Sequence, residues 1–352
     1  MKIRGFITHK RAESYLDCAD YFAIDLKDRK IAVSDGISQS FSPSEWSRIL
    51  VQSYINNKWE PGQDLKPLQS QWLEEVRANL IKLQKQGAVT YMMENMIDER
   101  ESAGATFCGL SFKKESYDWV CNVIGDSALV KLSGESIDIF SSQNGTFNNR
   151  PDYFDSYASQ SVGELKSFQG QLQKGEVLFV VSDPLSELFQ KSLENKTEKQ
   201  IIEKILSVRN QNDFCGMVES LRTDFGMHND DTTLVIVEYD GKKDFNIEQI
   251  VMLDELIEKE QQKTELPESR CEIHINEADR NELMSESQLE YRALIYDLEN
   301  IREKAQSVFF RCVKPYLNNR NLVNKLKKRK QRNYLENLFA CFWNELIKEL
   351  KS

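Results

Sequence analysis

Four short apolar runs, each with an aspartate at one end, constrain this chain more than any other feature of its sequence. The first reads Ile-Ala-Val-Ser-Asp-Gly and ends at Asp35-Gly36; two others end at Asp126 and Asp183, and the fourth follows Asp230. Each run has the length of a buried β-strand. A single acid in such a place usually marks a turn, but four of them predict a site built from carboxylates, which suit metal ions.

Three strands are predicted at the start of the chain, at residues 3–8, 21–25 and 30–34, as a β-hairpin or meander. Asp28-Arg29 supplies a turn between the last two strands. Asp20 then stands at the beginning of the strand that precedes Asp35. Because antiparallel neighbours bring such positions close together, we expect Asp20 and Asp35 to share one site.

Helices and strands alternate in blocks through the next 200 residues. Helical periodicity covers residues 44–97, strands return between 104 and 140, and a polar stretch without apolar periodicity fills 141–170. A strand ending at Asp183, helices within 187–206 and 214–225, and a last strand at 234–239 follow. This order predicts an α/β sandwich of antiparallel sheets.

The composition changes beyond residue 240, so we predict one domain at 1–240 and an all-α extension at 241–352. The extension contains a polar linker at 261–269, a basic run at 325–332 and an apolar helical stripe at 334–350. The basic run fits a solvated helix face, an acidic protein partner, or a nucleic acid or anionic lipid surface. The stripe fits internal packing, a dimer or a partner interface.

Composition excludes several classes of function. A net charge of −10 argues against nucleic acid as the main partner. No run approaches the ~18 apolar residues of a membrane span, and the first residues lack a signal-peptide core. The seven cysteines are scattered without a Cys-x-x-Cys pair, which argues against a disulfide framework or a zinc site and predicts a reducing cytoplasm.

The order of the acidic motifs resembles that of the metal-dependent protein phosphatases, the type 2C Ser/Thr phosphatases. The matching segments, which span roughly residues 1–240, are Ala19-Asp20, Val33-Ser34-Asp35-Gly36, Gly104-Ala105-Thr106, Gly125-Asp126-Ser127, Ser182-Asp183-Pro184 and Asp230-Asp231-Thr232-Thr233. The resemblance implies a four-layer α-β-β-α sandwich of two antiparallel sheets. It also implies a phosphoprotein substrate and, by the habit of the family, a cognate protein kinase.

The resemblance implies a site that holds two Mn²⁺ or Mg²⁺ ions, with a third in many members. Asp35 would bridge the two ions and the Gly36 carbonyl would complete one shell. Asp183 and Asp230 would hold one ion, Asp20 would act through metal-bound water, and Asp126 would serve the third. Hard divalent ions take such oxygen ligands, and a shared water would attack phosphorus, so Asp35 and Asp20 are the predicted catalytic residues.

Three positions depart from the family pattern. Ala19 replaces a Glu or Gln, Tyr15 replaces a phosphate-binding Arg, and Pro184 replaces a glycine. His9, Lys10 or Arg11 could bind phosphate instead of the missing Arg. Proline is favoured in the first turn of a helix, so Asp183 can still face the site.

Two functions of different classes remain open. The first is an active phosphatase that hydrolyses phosphoserine and phosphothreonine, targeted through the C-terminal helices. The second is a pseudophosphatase that keeps the fold as a binding or scaffold module. A phosphatase for a small phosphorylated metabolite is a third reading.

Overall fold

Two β-sheets lie face to face at the centre of the structure. The computed structural model describes residues 1–85, 90–114, 116–143, 151–158, 161–242 and 244–265. In spatial order, the first sheet contains Asn246–Ile250 (β13), Lys2–Thr8 (β1), Thr232–Glu238 (β12), Val177–Val181 (β11), Ala128–Ser133 (β7) and Ser136–Phe140 (β8). The second contains Lys166–Gln171 (β10), Asp118–Ile124 (β6), Phe107–Phe112 (β5), Lys30–Ser34 (β3) and Tyr21–Asp25 (β2). Gly104–Ala105 (β4) and Phe154–Asp155 (β9) form a separate short pair.

Helices cover the outer face of each sheet. They are Pro43–Ile55 (α1), Lys66–Lys85 (α2), Tyr91–Asp98 (α3), Asp183–Asn195 (α4), Glu198–Ser207 (α5), Gln211–Asp224 (α6) and Leu253–Glu265 (α7), with a 3₁₀ helix at Tyr15–Asp17. Helix α1 packs on β2 and β3, while α4 and α6 pack on β12 and β1 of the other sheet. The predicted α-β-β-α sandwich is therefore confirmed. Its strand pairs are antiparallel, except that β13 runs parallel to β1.

The apolar core lies between the two sheets and under the helices. Every residue of β11 is buried, and β12 is buried except for its last residue, because both strands are central and covered on both faces. Trp46 and Trp72 are fully buried under the helical layer, and Trp46 Nε1 donates a 2.8 Å hydrogen bond to the Phe154 carbonyl. Burying a large apolar side chain stabilises a fold by about 2–3 kcal/mol.

The strand assignments at the start of the chain are correct, but their arrangement as one meander is wrong. Strands β2 and β3 form the predicted hairpin, with Tyr21 opposite Ser34. Strand β1 instead pairs with β12 in the other sheet, where Thr8 lies opposite Thr232. The crossover between the sheets places the segment after β1 beside the start of β12.

The polar stretch at 141–170 contains two strands that its composition does not indicate. Strand β9 pairs with β4, and β10 adds an edge to β6. The residues of β10 alternate between half-buried and exposed, but its sequence, Lys-Ser-Phe-Gln-Gly-Gln, lacks the apolar alternation that marks such a strand. The predicted helical stretch at 187–206 is also divided, because Lys196 adopts the left-handed conformation with φ of 57° between α4 and α5.

Residues beyond 240 add both a strand and a helix to the sandwich. Strand β13 extends the first sheet, so the prediction that residues 241–352 are all-α is wrong at 246–250, where β1 offers an edge to pair with. Helix α7 continues to Glu265, through the first half of the predicted linker. The division at residue 240 stays a prediction, as does the role of the extension. Residues 266–352, with the basic run and the apolar stripe, lie outside the described residues. Among the residues that are described, none of the helices has the length and apolar character to cross a bilayer.

Candidate metal centre

Strand ends from both sheets meet at one cavity of about 600 Å³. Asp35 follows β3, Asp126 lies between β6 and β7, Asp183 follows β11, and Asp230 precedes β12. The side chains around the cavity include four of the predicted aspartates together with a further carboxylate, a histidine and polar groups: Asp35, Gly36, Ile37, Ser38, Gln39, Thr106, Asp126, Pro151, Asp183, Glu187, His228 and Asp230. The structure thus brings together acids that are up to 195 residues apart, from Asp35 to Asp230.

The backbone around Asp35 is fixed from both sides. The Asp35 carbonyl accepts a 2.8 Å hydrogen bond from the Thr106 amide, and the Gly36 amide donates to the Ala19 carbonyl at 3.2 Å. A Cβ at Gly36 would lie 2.8 Å from the Pro43 carbonyl oxygen and 3.0 Å from that of Ala19. Because backbone atoms cannot yield as a flexible side chain does, this position requires glycine.

The turn that carries Asp126 also depends on a glycine. Gly125 has φ of +90°, and a Cβ there would lie 2.6 Å from both the Asp152 carbonyl oxygen and the Thr106 side chain. The neighbouring hydroxyls of Thr106 and Ser127 are hydrogen-bonded at 2.7 Å. This bond therefore ties the turn of Asp126 to the segment that carries Thr106.

Asp183 is the first residue of helix α4. Ser182 precedes it as the N-cap residue in an extended conformation, and Ser182 Oγ accepts a 2.9 Å hydrogen bond from the Thr233 amide. Pro184 lies in the first turn, where its missing N–H is not needed. The N-terminus of a helix favours negative charge, so the position of Asp183 in α4 offsets part of the cost of burying its carboxylate.

Asp20 is buried within the protein, with only 1% of its surface exposed, and does not line the cavity wall. Its Oδ2 accepts a 2.7 Å hydrogen bond from the Thr233 hydroxyl. Asp231 lies close by and joins two backbone segments, since its carboxylate accepts from the amides of Lys10 at 3.0 Å and Ala19 at 2.8 Å. Asp231 supports the turn, as its position in the sequence suggests.

The carboxylates disfavour one another's charge. Burial, followed by the charges of Asp20 and Asp183, raises the pKa of Asp35 well above its ordinary value. Burial, then the charges of Asp126 and Asp230, does the same to the pKa of Asp183. Burial raises the pKa of Asp126 to about 6 and that of Asp20 to about 8. A positive charge nearby would therefore stabilise the ionised form of these acids.

Buried carboxylate oxygens without a hydrogen-bond partner indicate that a cation could supply this positive charge. Asp20 Oδ1, Asp126 Oδ1 and Asp183 Oδ1 are buried and have no hydrogen-bond partner. Buried polar atoms are almost always paired, so three orphaned carboxylate oxygens in one region fit a bound cation with oxygen ligands. In the described residues, however, no three His, Cys, Asp or Glu side chains converge closely enough to hold a metal ion. The donor chemistry fits Mn²⁺ or Mg²⁺, while the acids are spread around the cavity.

Lys10 is the one of the three predicted phosphate-binding residues that reaches the acidic cavity. Its Nζ lies 3.7 Å from Asp230 Oδ1, 3.4 Å from Glu13 and 3.3 Å from the Ser38 hydroxyl. Arg11 instead forms an ion pair with Glu219 at 2.6 Å on the surface. His9 packs edge-on against the Tyr15 ring, with the ring centroids 4.6 Å apart.

Tyr15, which the resemblance places where a phosphate-binding Arg would lie, is directed into the protein. Its hydroxyl lies 3.4 Å from Gln211 Nε2 and 4.0 Å from Cys215 Sγ. Burial raises the pKa of Tyr15, so the phenol stays neutral and cannot replace the charge of an arginine. Ala19 contributes its backbone only, through hydrogen bonds to Gly36, Ser47 and Asp231.

Two further residues belong to the site and were not predicted from the sequence. Glu187 lines the cavity four residues after Asp183, one helical turn along α4, and that spacing is a signal that could identify it. Arg222 is buried on α6 and donates to the carbonyls of Asp230 at 2.7 Å and His9 at 3.4 Å. Arg222 therefore holds the loops that carry Asp230 and Lys10, but an arginine within an amphipathic helix gives no such indication.

The chain matches no protein-family model and no curated protein. Solved structures similar to it include the catalytic domain of the serine/threonine protein phosphatase PstP in complex with two manganese ions, at 15% identity and a TM-score of 0.40 over 66% of this chain and 96% of that one. The serine/threonine phosphatase of S. agalactiae has 15% identity and a TM-score of 0.42 over 67% and 98% of the two chains. Stp1 from Staphylococcus aureus has 12% identity and a TM-score of 0.42 over 68% and 95%. All three of these proteins are serine/threonine phosphatases.

Proposed function

We propose that this protein is a divergent metal-dependent phosphatase that hydrolyses phosphoserine and phosphothreonine in proteins. The observation that carries the proposal is the set of strand-end aspartates around one cavity, with buried carboxylate oxygens of Asp126 and Asp183 that lack a partner. Mn²⁺ or Mg²⁺, when bound, supplies the Lewis acidity that acidifies water and neutralises the charge of a phosphoryl group.

The residues of the chain would divide the remaining work. Asp35, Asp183 and Asp230 would hold the two ions, with the Gly36 carbonyl as a further ligand and Asp20 behind them. Asp126 would serve a third ion. Lys10 would bind the phosphate, and His228, which lines the same cavity, would donate a proton to the leaving serine or threonine oxygen.

Hydrolysis of p-nitrophenyl phosphate and of phosphopeptides in millimolar Mn²⁺ tests the proposal. We expect turnover that chelation abolishes and that Asp35→Asn lowers by about 1,000-fold or more, because the bridging carboxylate is lost. Asp224→Asn, an exposed acid on α6, is the matched control and should keep full activity. If the wild-type protein neither turns over these substrates nor binds Mn²⁺ in calorimetry, the enzyme assignment fails.

A binding or scaffold module is the second candidate, and two observations favour it. The acids do not converge on a single point, and Asp20 is engaged by Thr233. A pseudophosphatase would bind phosphopeptides without turnover, and its phosphopeptide affinity would not change on chelation. Comparing phosphopeptides with small phosphate esters in the same assay also separates a protein phosphatase from one for small metabolites.

A further inference from the structure

Helix α7 is anchored to the sandwich although it lies beyond the last strand of the predicted domain. Strand β13 pairs with β1, with Ile250 opposite Gly5, and the Val251 amide donates to the Gly5 carbonyl at 2.9 Å. Leu253 and Leu256 on the first turns of α7 are buried. These contacts fix the start of α7 relative to the first sheet.

Two acidic side chains of α7 accept hydrogen bonds from residues 15–21, the segment that contains Asp20. Glu260 Oε2 accepts a 3.0 Å hydrogen bond from the Tyr15 amide, and Asp254 Oδ2 accepts one of 3.0 Å from the Tyr21 hydroxyl. The two bonds lie at the two ends of residues 15–21. Because a cavity of about 390 Å³ lies among α7, α1, α2 and this segment, close packing alone does not fix the segment there.

The same segment is also hydrogen-bonded to residues next to the carboxylate site. The Ala19 amide donates to Asp231, and the Ala19 carbonyl accepts from the Gly36 amide at 3.2 Å and the Ser47 hydroxyl at 2.6 Å. A shift of residues 15–19 would therefore disturb both Asp20, the next residue, and the turn of Asp35-Gly36.

We propose that α7 braces the 15–20 segment and thereby positions Asp20 and Gly36 in the site, with Glu260 as the principal positioning residue. The inference rests on the proposed function for its catalytic consequence. Glu260 accepts the hydrogen bond of the Tyr15 amide, so it acts on the site through the backbone of Tyr15.

Backbone hydrogen exchange tests the brace without reference to activity. In Glu260→Ala, we expect the amides of residues 14–20 to exchange about fivefold faster, because a hydrogen bond to a charged acceptor is lost. Glu260→Gln keeps an acceptor oxygen and should restore most of the protection. Glu258→Ala, an exposed acid on the same helix, should leave exchange unchanged. Unchanged exchange in Glu260→Ala overturns the brace whatever the protein's activity is.

Calorimetric titration with Mn²⁺ and phosphatase assays then test the link to the site. We expect Glu260→Ala to weaken Mn²⁺ binding about fivefold and lower kcat at saturating substrate, with the melting temperature nearly unchanged. Faster exchange with unaltered Mn²⁺ affinity and kcat would overturn the positioning role. A wild-type protein that neither binds Mn²⁺ nor turns over would defeat the proposed function, and the site-positioning part of this inference with it, while the exchange result would still decide whether α7 braces the segment.

Discussion

Lys10 is the residue whose surroundings most directly predict a substrate contact. Its ammonium group lies between Asp230 and Ser38, and the side chain is 20% exposed. A phosphate dianion entering the cavity would meet this charge, and a charge-assisted hydrogen bond of about 1.5 kcal/mol corresponds to roughly tenfold in affinity. We therefore expect Lys10→Ala to raise KM for a phosphopeptide about tenfold and to change kcat by less than about threefold.

Initial-rate kinetics at fixed, saturating Mn²⁺ measure this effect. Arg11→Ala is the matched control, because Arg11 is the next residue and its ion pair with Glu219 leaves it outside the cavity. Equal effects of the two substitutions would indicate a general electrostatic role for this loop. A lower KM in Lys10→Ala would mean that Lys10 restrains the acids instead of binding substrate.

At the same scale, the acids could be predicted from the sequence and their partners could not. Asp35, Asp126, Asp183 and Asp230 each follow or precede an apolar run, and that recurrence identifies them.

His9, Lys10 and Arg11 are adjacent, and only the turn after β1 decides which of them points to the cavity. Thr233 and Arg222 act through single hydrogen bonds to Asp20 and to the Asp230 carbonyl, which depend on how β12 and α6 pack.

The N-terminus of α4 is the element that most directly shapes the site, and Pro184 lies in its first turn. The proline restricts the unfolded chain and is buried, so Pro184→Gly should lower the free energy of unfolding by about 1–2 kcal/mol. The Ser182 carbonyl would still accept the Ser186 amide at 3.1 Å, and Ser182 Oγ would still accept the Thr233 amide, so Asp183 would keep its place at the start of the helix. We therefore expect Mn²⁺ affinity and kcat to stay within about twofold of the wild-type values.

Urea denaturation and Mn²⁺ calorimetry on the same samples check this expectation. Pro184→Ala separates the loss of the ring from the added freedom of glycine and should be less destabilising. A marked gain in Mn²⁺ affinity in Pro184→Gly would show that the proline displaces Asp183 from the position that metal binding requires.

Elements with a clear apolar pattern could be predicted from the sequence. Elements that form only because a neighbouring strand offers them an edge could not. The apolar runs of β3, β11 and β12 identify central strands because both faces are covered. The polar edge strand β10 exists because β6 offers a free edge, and β13 because β1 does. The pairing of β1 with β12, more than 220 residues away, depends on the assembly of the whole sandwich.

At the scale of the whole molecule, the buried acids make stability depend on pH. In the folded protein the pKa of Asp126 rises from 3.8 to about 6 and that of Asp20 to about 8, chiefly because both are buried. The folded state therefore retains protons that the unfolded chain has lost above pH 4. Stability falls as pH rises from about 4 to 8, and the Asp126 change alone corresponds to about 3 kcal/mol at 1.4 kcal/mol per tenfold change in acidity.

Chemical denaturation of the metal-free protein between pH 5 and 8 measures how the free energy of unfolding changes with pH. A second series in Mn²⁺ tests whether the buried acids cause this change. A bound cation compensates the carboxylates, so stabilisation by Mn²⁺ should be larger at pH 8 than at pH 5. Asp126→Asn removes one titrating acid and should make the metal-free protein more stable at pH 8 by up to about 3 kcal/mol. A metal-free stability that is constant from pH 5 to 8 would show that these acids already have compensating partners, and the case for a cation site would lose its electrostatic basis.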